Sequence, residues 1–270
     1  MRSVAIVGVG LIGGSFGLAL RKAGFQGDIV GVSSERSIGQ AVERGAIDRG
    51  VTLDEAGAAA DLIFLSQPIS GIVETLGKLD SVVRRDALVT DAGSTKQAIA
   101  DAARRSLNRC TFLGGHPMAG KELRGAAAAD ADLFQGRTWV VTSDLDHPVS
   151  RAFRKWLVLI GARELVLDPA THDRLVAWAS HLPQLASTAL ASALQDSAPE
   201  AASVAGPGLL DMTRLAMGSW DLWSDILGTN QAAVAAALDA YIAKLQSLRA
   251  DMASEFENGA NFARSLRAGE

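Results

Sequence analysis

Two short segments combine a reactive side chain with the small residues typical of a strand–loop junction. They are DAGSTK at residues 91–96 and GGHPMAG at residues 114–120, and each follows a short apolar run. The second segment places His116 between glycines and a proline, which predicts a rigid, exposed loop. A histidine in such a loop is suited to accept or donate a proton near neutral pH. In the first segment Ser94 offers a hydroxyl group to a ligand, and the alternative is that Ser94 or Thr95 is a helix N-cap.

Further polar candidates lie in the second half of the chain. His181 belongs to the segment SHLP at residues 180–183, whose proline predicts a helix break. Arg214 ends the segment DMTR within an apolar stretch, and a buried arginine requires an anion. A ligand carboxylate is one candidate for this anion, and an internal salt bridge to Asp211 or Asp221 is the other.

The sequence offers no convincing set of metal ligands. Cys110 is the one cysteine, which excludes an intrachain disulfide and a zinc site built on cysteines. The adjacent His172 and Asp173 lack the spacing of metal ligands, and we interpret them as a chance pair on a loop. His147 precedes a proline in a charged turn and is interpreted as a solvated loop residue. We therefore expect no bound metal.

A glycine fingerprint near the N-terminus predicts a dinucleotide site. Gly8, Gly10 and Gly13 form a G-x-G-x-x-G pattern directly after the first predicted strand and at the start of a helix. The first glycine permits a tight turn, the second lets a pyrophosphate approach the backbone, and the third allows the helix to pack on the strand. The free N–H groups at the helix N-terminus bind the anion. The other residues assigned to this part of the cofactor site are Leu11, Ile12, Ser66 and Pro68.

The residues after the second predicted strand bear on the choice between NAD and NADP. An NAD-selective site usually carries a carboxylate there to bind the ribose, whereas this chain has Ser33, Ser34, Glu35 and Arg36. Two hydroxyl groups and the arginine can bind a 2′-phosphate, which favours NADP over NAD. The alternative is that the two serines cap the next helix and that Glu35 binds the ribose.

Strand and helix patterns alternate along the first half of the chain. Short apolar runs alternating with helical patterns are typical of a parallel, doubly wound sheet. The predicted strands are Val4–Val7, Ile29–Val32, Leu62–Leu65, Leu88–Thr90, Thr111–Leu113 and Trp139–Thr142. The predicted helices are Ile12–Lys22, Ser37–Glu43, Ile69–Leu79 and Lys96–Arg105, with a further helix and strand between Arg151 and Leu167.

The texture of the sequence changes after residue 167. Residues 170–264 contain no convincing strand and are rich in Ala and Leu at helical spacing, and Pro183, Pro199 and residues 206–208 predict helix breaks. We therefore place a dinucleotide-binding domain at residues 1–167 and a helical domain for substrate and dimerisation at 168–270. The helix predicted at Ala232–Leu248 is too apolar for an isolated surface helix. It forms either the core of its own domain or a dimer interface, and we favour the interface.

Composition and charge exclude several classes of protein. The chain has 270 residues, 48% of them hydrophobic, and a formal net charge of −4. This charge argues against a nucleic-acid-binding protein that relies on a positive field. No run of about 20 apolar residues predicts a membrane span. We expect a cytoplasmic protein with a small-molecule substrate.

The motifs together resemble those of the prephenate/arogenate dehydrogenase family of tyrosine biosynthesis. The resemblance rests on the glycine fingerprint and on DAGSTK, GGHPMAG, SHLP and DMTR in this order, and it extends from Val4 to about Asn230. It implies a Rossmann-like α/β domain followed by an all-α dimerisation domain, a nicotinamide cofactor and a homodimer. It also implies oxidation of a cyclohexadienol carbon with loss of the ring carboxylate as CO₂.

The resemblance also implies a role for each motif residue. His116 would accept a hydrogen bond or proton from the substrate 4-hydroxyl group, and Ser94 would hold this hydroxyl and the nicotinamide in register. Arg214 would bind a substrate carboxylate, and His181 would line the same pocket. Gln184, which follows SHLP, is neutral and would meet the amino or keto side chain of the substrate.

One position departs from the family pattern. The residue four positions before the arginine of DMTR is often basic in relatives, and here it is Leu210. The missing cation favours arogenate, with its ammonium group, although prephenate or dual use stays open. Two other interpretations are a β-hydroxyacid dehydrogenase, for which Lys244 is the available lysine, and a non-catalytic NAD(P)-sensing protein.

Overall fold

The N-terminal half of the chain forms a parallel sheet that agrees with the predicted fold class. The computed structural model describes residues 1–121, 123–143 and 147–268. The strands of this sheet are β1 (Ser3–Val7), β2 (Asp28–Val32), β3 (Arg49–Gly50), β4 (Leu62–Leu65), β5 (Leu88–Asp91) and β6 (Thr111–Leu113). They are ordered β3-β2-β1-β4-β5-β6. The strand order therefore reverses between β1 and β4. Ligands of such sheets bind beyond the carboxyl ends of the strands at this switch point.

Helices cover both faces of the sheet because the strands are apolar on both sides. The helices are α1 (Leu11–Lys22), α2 (Glu35–Glu43), α3 (Leu53–Ala59), α4 (Ile69–Leu79) and α5 (Gln97–Ser106). Neighbouring strand residues point to opposite faces. Phe64 accordingly packs in one cluster with Phe16 of α1, whereas Ile63 packs in the other with Ile72 of α4.

Most predicted elements of this half are confirmed. The strands at Leu62–Leu65 and Thr111–Leu113 and the helix at Ile69–Leu79 have the predicted bounds, and the other predicted helices and strands of the sheet differ by one or two residues at an end. The sequence prediction missed β3 and α3. β3 has only two residues, both exposed, and therefore carries no hydrophobic signal. α3 is short, although Thr52 and Glu55 form a capping box at its start.

A smaller sheet follows, and it corrects the expectation for His116. Its strands are β7 (Gly115–Pro117), β8 (Thr138–Val141) and β9 (Arg163–Val166), with α6 (Pro148–Leu159) before β9. β7 pairs antiparallel with β8, and His116 stands opposite Val140. The expectation of an exposed loop was wrong, since His116 is half-buried and lies on β7. A strand of three residues that ends in a proline is too short to be recognised from a sequence pattern.

Every described element from Pro169 onward is helical, as the sequence predicts. The α-helices are α7 (Pro169–Val176), α8 (Leu182–Ser197), α9 (Pro207–Thr213), α10 (Trp220–Gly228), α11 (Gln231–Ala250) and α12 (Met252–Ala268). Turns of 3₁₀ helix lie at Pro199–Val204 and Arg214–Met217. The predicted breaks near Pro199 and Pro207 are confirmed.

The predicted break at Pro183 is wrong. A π-helical turn at Ala177–His181 joins α7 directly to α8. Pro183 falls in the first turn of α8, where its missing N–H group costs little. The wider π turn absorbs the change in helical geometry before the proline, and such turns occur frequently at functional sites.

The chain forms two compact units. The N-terminal unit consists of Met1–Leu175 together with Ser219–Thr229, and the C-terminal unit consists of Val176–Gly218 and the residues from Asn230 onward. The segment with α10 therefore belongs to the N-terminal unit, although it lies far along the sequence. Among the helices of the described residues, none combines the length and the apolar character that a membrane crossing requires. The cytoplasmic location stays a prediction.

Candidate active site

The glycine-rich turn after β1 leaves room for a ligand backbone. Gly8 has a φ of +91°, which is a left-handed conformation, and a Cβ atom there would lie 2.7 Å from Gln67. A Cβ atom on Gly13 would lie 2.5 Å from the carbonyl oxygen of Gly8. The space beside Gly10 is open to at least 4 Å, and no side chain caps α1 there. Open space in front of exposed helix N–H groups fits a pyrophosphate.

Two adjoining cavities of the N-terminal unit continue from this turn. The first has a volume of about 310 Å³ and is lined by Gly8, Gly10 and Ser33, and the second has a volume of about 490 Å³ and contains Ser94. Both are lined by Ser66, Gln67 and Pro68, and the second also by Leu11 and Ile12. Ser66 is fixed by the hydrogen bond that its hydroxyl donates to the carbonyl oxygen of Gly8, at 2.9 Å. The groove therefore collects most residues that the sequence assigns to the cofactor.

The residues expected at the adenosine end have different surroundings. Ser33 is exposed and lines the first cavity, and Arg36 is exposed in the first turn of α2. Ser34 is the N-cap of α2, and its hydroxyl accepts a hydrogen bond from the N–H group of Ser37. The helix-cap alternative is therefore confirmed for Ser34.

The loop that carries Ser94 runs between the two members of a buried ion pair. Asp91 ends β5 and pairs with the ammonium group of Lys96, and both side chains are at most 1% exposed. Lys96 Nζ also donates to the carbonyl oxygen of Gly115 at 2.8 Å, and the N–H group of Gly115 donates to Asp91 at 3.0 Å. These bonds join the Ser94 loop to β7, which carries His116. Burial lowers the pKa of Lys96, and the carboxylate of Asp91 opposes this effect.

Neither Ser94 nor Thr95 caps the helix that follows. The N–H groups of Lys96 and Gln97, where α5 begins, donate to the carboxylate of Asp173 at 2.6 and 2.9 Å. The Thr95 hydroxyl instead lies 2.7 Å from that of Thr229, and Ser94 faces the second cavity. The helix-cap alternative for this loop is wrong because a carboxylate from α7 performs that task.

His116 contacts a second histidine that the sequence analysis set aside. His116 Nδ1 lies 2.9 Å from His172 Nε2, and His172 Nδ1 lies 2.7 Å from Asp173 Oδ1. His172 is fully buried and Asp173 is 5% exposed. The interpretation of His172 and Asp173 as a chance pair on a loop was wrong, because both lie on α7 and point inward. The signal was available, since the buried Val176 and Ala177 follow them by four residues and mark the same helix face.

The C-terminal unit holds the remaining predicted residues on one helical scaffold. His181 is buried in the π turn, with Nδ1 3.3 Å from the side-chain amide of Asn230. Gln184 donates from Nε2 to the carbonyl oxygen of Leu215 at 2.7 Å, which holds the 3₁₀ turn that begins with Arg214. The expectation that Arg214 is buried was wrong, because its side chain is exposed in this chain.

Helix α10 contributes to the second cavity, which the sequence did not indicate. Asp221 and Asp225 line this cavity, and Ile226 is buried in the core of the N-terminal unit. The carboxylate of Asp225 accepts hydrogen bonds from the N–H and hydroxyl groups of Ser70, at 3.1 and 2.7 Å. Sequence periodicity places Ile226 on an apolar face but does not reveal which surface that face covers.

The described part of the chain contains no cluster of three His, Cys, Asp or Glu side chains that could hold a metal ion. Lys244, the lysine available for the mechanism of a β-hydroxyacid dehydrogenase, is not buried as the side chains of Lys96 and His172 are. Lys244 lies on α11 with an exposed side chain and forms an ion pair with Glu255 at 2.8 Å.

Comparison with known proteins assigns the family. Residues 16–163 match the model of the prephenate dehydrogenase nucleotide-binding domain, and residues 168–268 match that of the prephenate dehydrogenase dimerization domain. A prephenate dehydrogenase of Lactococcus lactis is 35% identical over 85% of this chain, which spans 65% of that relative's length.

Solved structures of the family share the whole fold. The prephenate dehydrogenase of Aquifex aeolicus, crystallised with hydroxyphenyl propionate and NAD⁺, is 31% identical with a TM-score of 0.87, over 100% of this chain and 97% of that one. The arogenate dehydrogenase of Synechocystis is 32% identical with a TM-score of 0.80, over 99% and 98% of the two chains. The chain therefore has a nicotinamide-dinucleotide-binding domain and a C-terminal domain of the dimerization type, and it belongs to the prephenate dehydrogenase family.

Proposed function

We propose that this chain is a cyclohexadienyl dehydrogenase that oxidises and decarboxylates arogenate or prephenate with NAD(P)⁺. The observation that carries this proposal is the position of His116. Its neighbour Gly115 on β7 is hydrogen-bonded to Asp91 and Lys96, which flank the Ser94 loop beside the cofactor groove. A base and a hydroxyl group at this place suit the oxidation of a secondary alcohol. Membership of the family supports the same conclusion.

In the proposed reaction His116 accepts the proton of the substrate 4-hydroxyl group as the C4–H bond breaks. The nicotinamide, when bound, accepts the hydride from C4. The C–C bond to the ring carboxylate then breaks, CO₂ leaves, and its electron pair completes the aromatic ring. His116 returns the proton to the phenolate oxygen, so that the residues end in their starting states. No side chain needs to protonate the departing CO₂, because aromatisation drives its loss.

The other motif residues would bind and orient the substrate. Ser94 would hold the hydroxyl group and the nicotinamide in register, and such positioning is a large part of catalysis. Arg214 would bind a substrate carboxylate through its guanidinium group. His181 would orient the substrate, and Gln184 supports the turn of Arg214 and has an amide oxygen suited to an ammonium group.

We propose arogenate as the better substrate. Leu210, which replaces the basic residue frequent in relatives, is apolar and 63% exposed. Both substrates carry a side-chain carboxylate, and arogenate alone carries an ammonium group, which a cation at this position would repel and Leu210 does not. Prephenate turnover at clearly higher kcat/KM would contradict this preference.

We also propose that NADP is the preferred cofactor. Ser33 at the first cavity and Arg36 at the start of α2 would bind the 2′-phosphate, and Ser34 supports them as the helix cap. Arg36→Ala should lower kcat/KM for NADP⁺ by about tenfold or more and leave that for NAD⁺ within twofold, since an arginine–phosphate bond is worth about 1.5–3 kcal/mol. Arg85→Ala, an exposed arginine before β5, is the matched control. A loss that is equal for both cofactors would contradict the assignment.

The test of the activity is the initial rate of reduced-cofactor formation at 340 nm. Arogenate and prephenate are each combined with NAD⁺ and NADP⁺ on one purified protein. Turnover of either substrate supports the proposal, and His116→Asn should then lower kcat by about 10²–10⁴-fold while cofactor affinity is retained. Cofactor binding without turnover in all four combinations would favour a sensing protein.

We further propose that the chain works as a homodimer through its C-terminal helices. Among the residues that the structure describes, the apolar cluster of the C-terminal unit has three buried members, Ala177, Leu182 and Ala237. Apolar side chains on α9 to α12 are exposed, and an obligate interface would cover them. Sedimentation equilibrium should give twice the chain mass at micromolar concentration, and a monomer would contradict the proposal.

A further inference from the structure

A buried hydrogen-bonded chain lies behind the proposed base. It runs from His116 on β7 through His172 to Asp173, both on α7, and ends on the first N–H groups of α5. All the residues of this chain belong to the N-terminal unit. The proposed reaction assigns no part to His172 or Asp173, although a buried imidazole and a buried carboxylate are costly unless they are paired.

The direction of each hydrogen bond follows from what each group can donate. The carboxylate of Asp173 accepts N–H bonds from Lys96 and Gln97, at 2.6 and 2.9 Å, which is the behaviour of an ionised group. An ionised carboxylate only accepts, so the hydrogen between it and His172, at 2.7 Å, resides on His172 Nδ1. A neutral His172 then has a lone pair on Nε2 and must accept from its neighbour.

The neighbour is His116 Nδ1, at 2.9 Å, which therefore carries the hydrogen. A neutral imidazole has one hydrogen, so the lone pair of His116 resides on Nε2. That is the atom on the far side of the ring from α7, and it is the atom that can accept a proton. In the opposite tautomer His116 would donate from Nε2 and could not act as a base.

We propose that His172 and Asp173 are positioning residues that hold His116 in its Nδ1–H tautomer and thereby make Nε2 the proton-accepting atom. This inference rests on the proposed function, because it names what orients the base of that reaction. The same chain stabilises the imidazolium that forms when Nε2 takes the proton, since Nδ1–H donates toward His172 and the negative charge of Asp173. Among the described residues, the buried pair of Lys96 and Asp91 lies beside this chain, because the N–H group of Lys96 donates to Asp173.

Asp173 links the two halves of the proposed catalytic machinery. Its carboxylate orients the histidine pair and also caps α5, directly after the loop that carries Ser94. One side chain on α7 thus fixes both the base and the neighbouring hydroxyl loop. A change of this side chain should therefore affect both, whereas a change of His172 should affect the base alone.

The test compares two substitutions of the central residue. In His172→Gln the amide oxygen can still accept the bond from His116 Nδ1, whereas in His172→Leu nothing can. We expect kcat to fall by about 10²-fold or more in His172→Leu, and His172→Gln to recover at least about tenfold of that loss. The KM of the substrate and the affinity for reduced cofactor should stay within about threefold, because the side chain of His172 is fully buried behind His116.

The control is Asp168→Asn, at the residue that directly precedes α7. The carboxylate of Asp168 accepts from the N–H group of Thr171 at 3.0 Å and is exposed, so this variant perturbs the start of α7 without a contact to His116. It should retain the wild-type kcat. Equal losses in His172→Gln and His172→Leu, or in the control, would show that α7 merely packs here and would overturn the proposal.

A spectroscopic measurement decides the tautomer without reference to activity. In protein labelled with ¹⁵N-histidine, the ¹⁵N shifts distinguish a nitrogen that carries hydrogen from one that does not, and His116→Asn assigns the signals. We expect hydrogen on Nδ1 of His116 in the wild type and its redistribution in His172→Leu. Hydrogen on Nε2 of wild-type His116 would overturn the proposal even where a variant fails to fold. Absence of turnover in the wild type with hydrogen on Nδ1 would instead reject the proposed function alone.

Discussion

The two units of the chain differ in how they bury their apolar side chains. The N-terminal unit packs two continuous clusters on the faces of its sheet, and Phe16, Phe64 and Trp139 are fully buried there. The C-terminal unit buries little, and Met217 and Phe256 are 76% and 72% exposed. A sheet with helices on both faces encloses its own core, whereas helices that bury few apolar side chains among themselves leave the others exposed to solvent or to a partner surface. This difference fits the proposed homodimer, in which a second copy would cover the exposed apolar side chains of the C-terminal unit.

The largest expected effect is a loss in the free energy of unfolding when a buried ion pair of the N-terminal unit is broken. Asp91→Ala leaves the ammonium group of Lys96 buried without its counter-charge, and loss of one member of a buried pair costs about 3–5 kcal/mol. Urea unfolding should show this loss in the free energy of unfolding.

The matched control is the exposed pair of Glu74 and Lys78 on α4. Glu74→Ala should leave the unfolding midpoint unchanged, because water solvates the remaining lysine. If Asp91→Ala were as stable as Glu74→Ala, the view that burial makes the Asp91–Lys96 pair essential would be wrong.

The second prediction tests the dependence of the C-terminal unit on a partner. Ile242 and Leu245 lie one helical turn apart on α11 and are 45% and 47% exposed. Ile242→Glu should weaken dimerisation by about 30-fold or more, since a central interface residue is worth about 2 kcal/mol. Sedimentation velocity over a concentration series measures this shift.

The control for this variant comes from the other unit. Val158 on α6 is 68% exposed, and Val158→Glu should leave the dimer intact. If Val158→Glu dissociated the dimer and Ile242→Glu did not, the interface would lie on the N-terminal unit and not on the C-terminal unit.

The smallest expected effect changes a reaction rate and not stability. Cys110 precedes β6, and burial raises the pKa of its thiol to about 11. At pH 8 the reactive thiolate is then about 100-fold scarcer than at the ordinary thiol pKa, so a thiol reagent should react about 100-fold more slowly with native than with unfolded protein. The native rate should rise tenfold per pH unit up to about pH 11. Equal rates before and after unfolding would show that this edge of the N-terminal unit opens readily.

The sequence alone predicted those parts of the molecule that depend on neighbours in the chain. Gly8, Gly10 and Gly13 predict a turn that the structure forms, and most strands and helices of the first half were predicted with nearly correct bounds. Both depend on local backbone freedom and on hydrophobic period, which a single sequence displays. The short strand that carries His116 could not be predicted, because its partner β8 lies more than 20 residues away.

The candidate site shows the same division. DAGSTK and GGHPMAG identified Ser94 and His116 by their residue types, since small residues around a reactive side chain form a local pattern. His172 and Asp173 escaped because their importance comes from contacts with residues 56 and 77 positions away. The amino-acid sequence by itself thus determined most of the strands and helices of the first half, the glycine turn and the candidate base. Only the tertiary structure decided which groups this candidate base contacts, because a hydrogen bond depends on distance in space and not on separation along the chain.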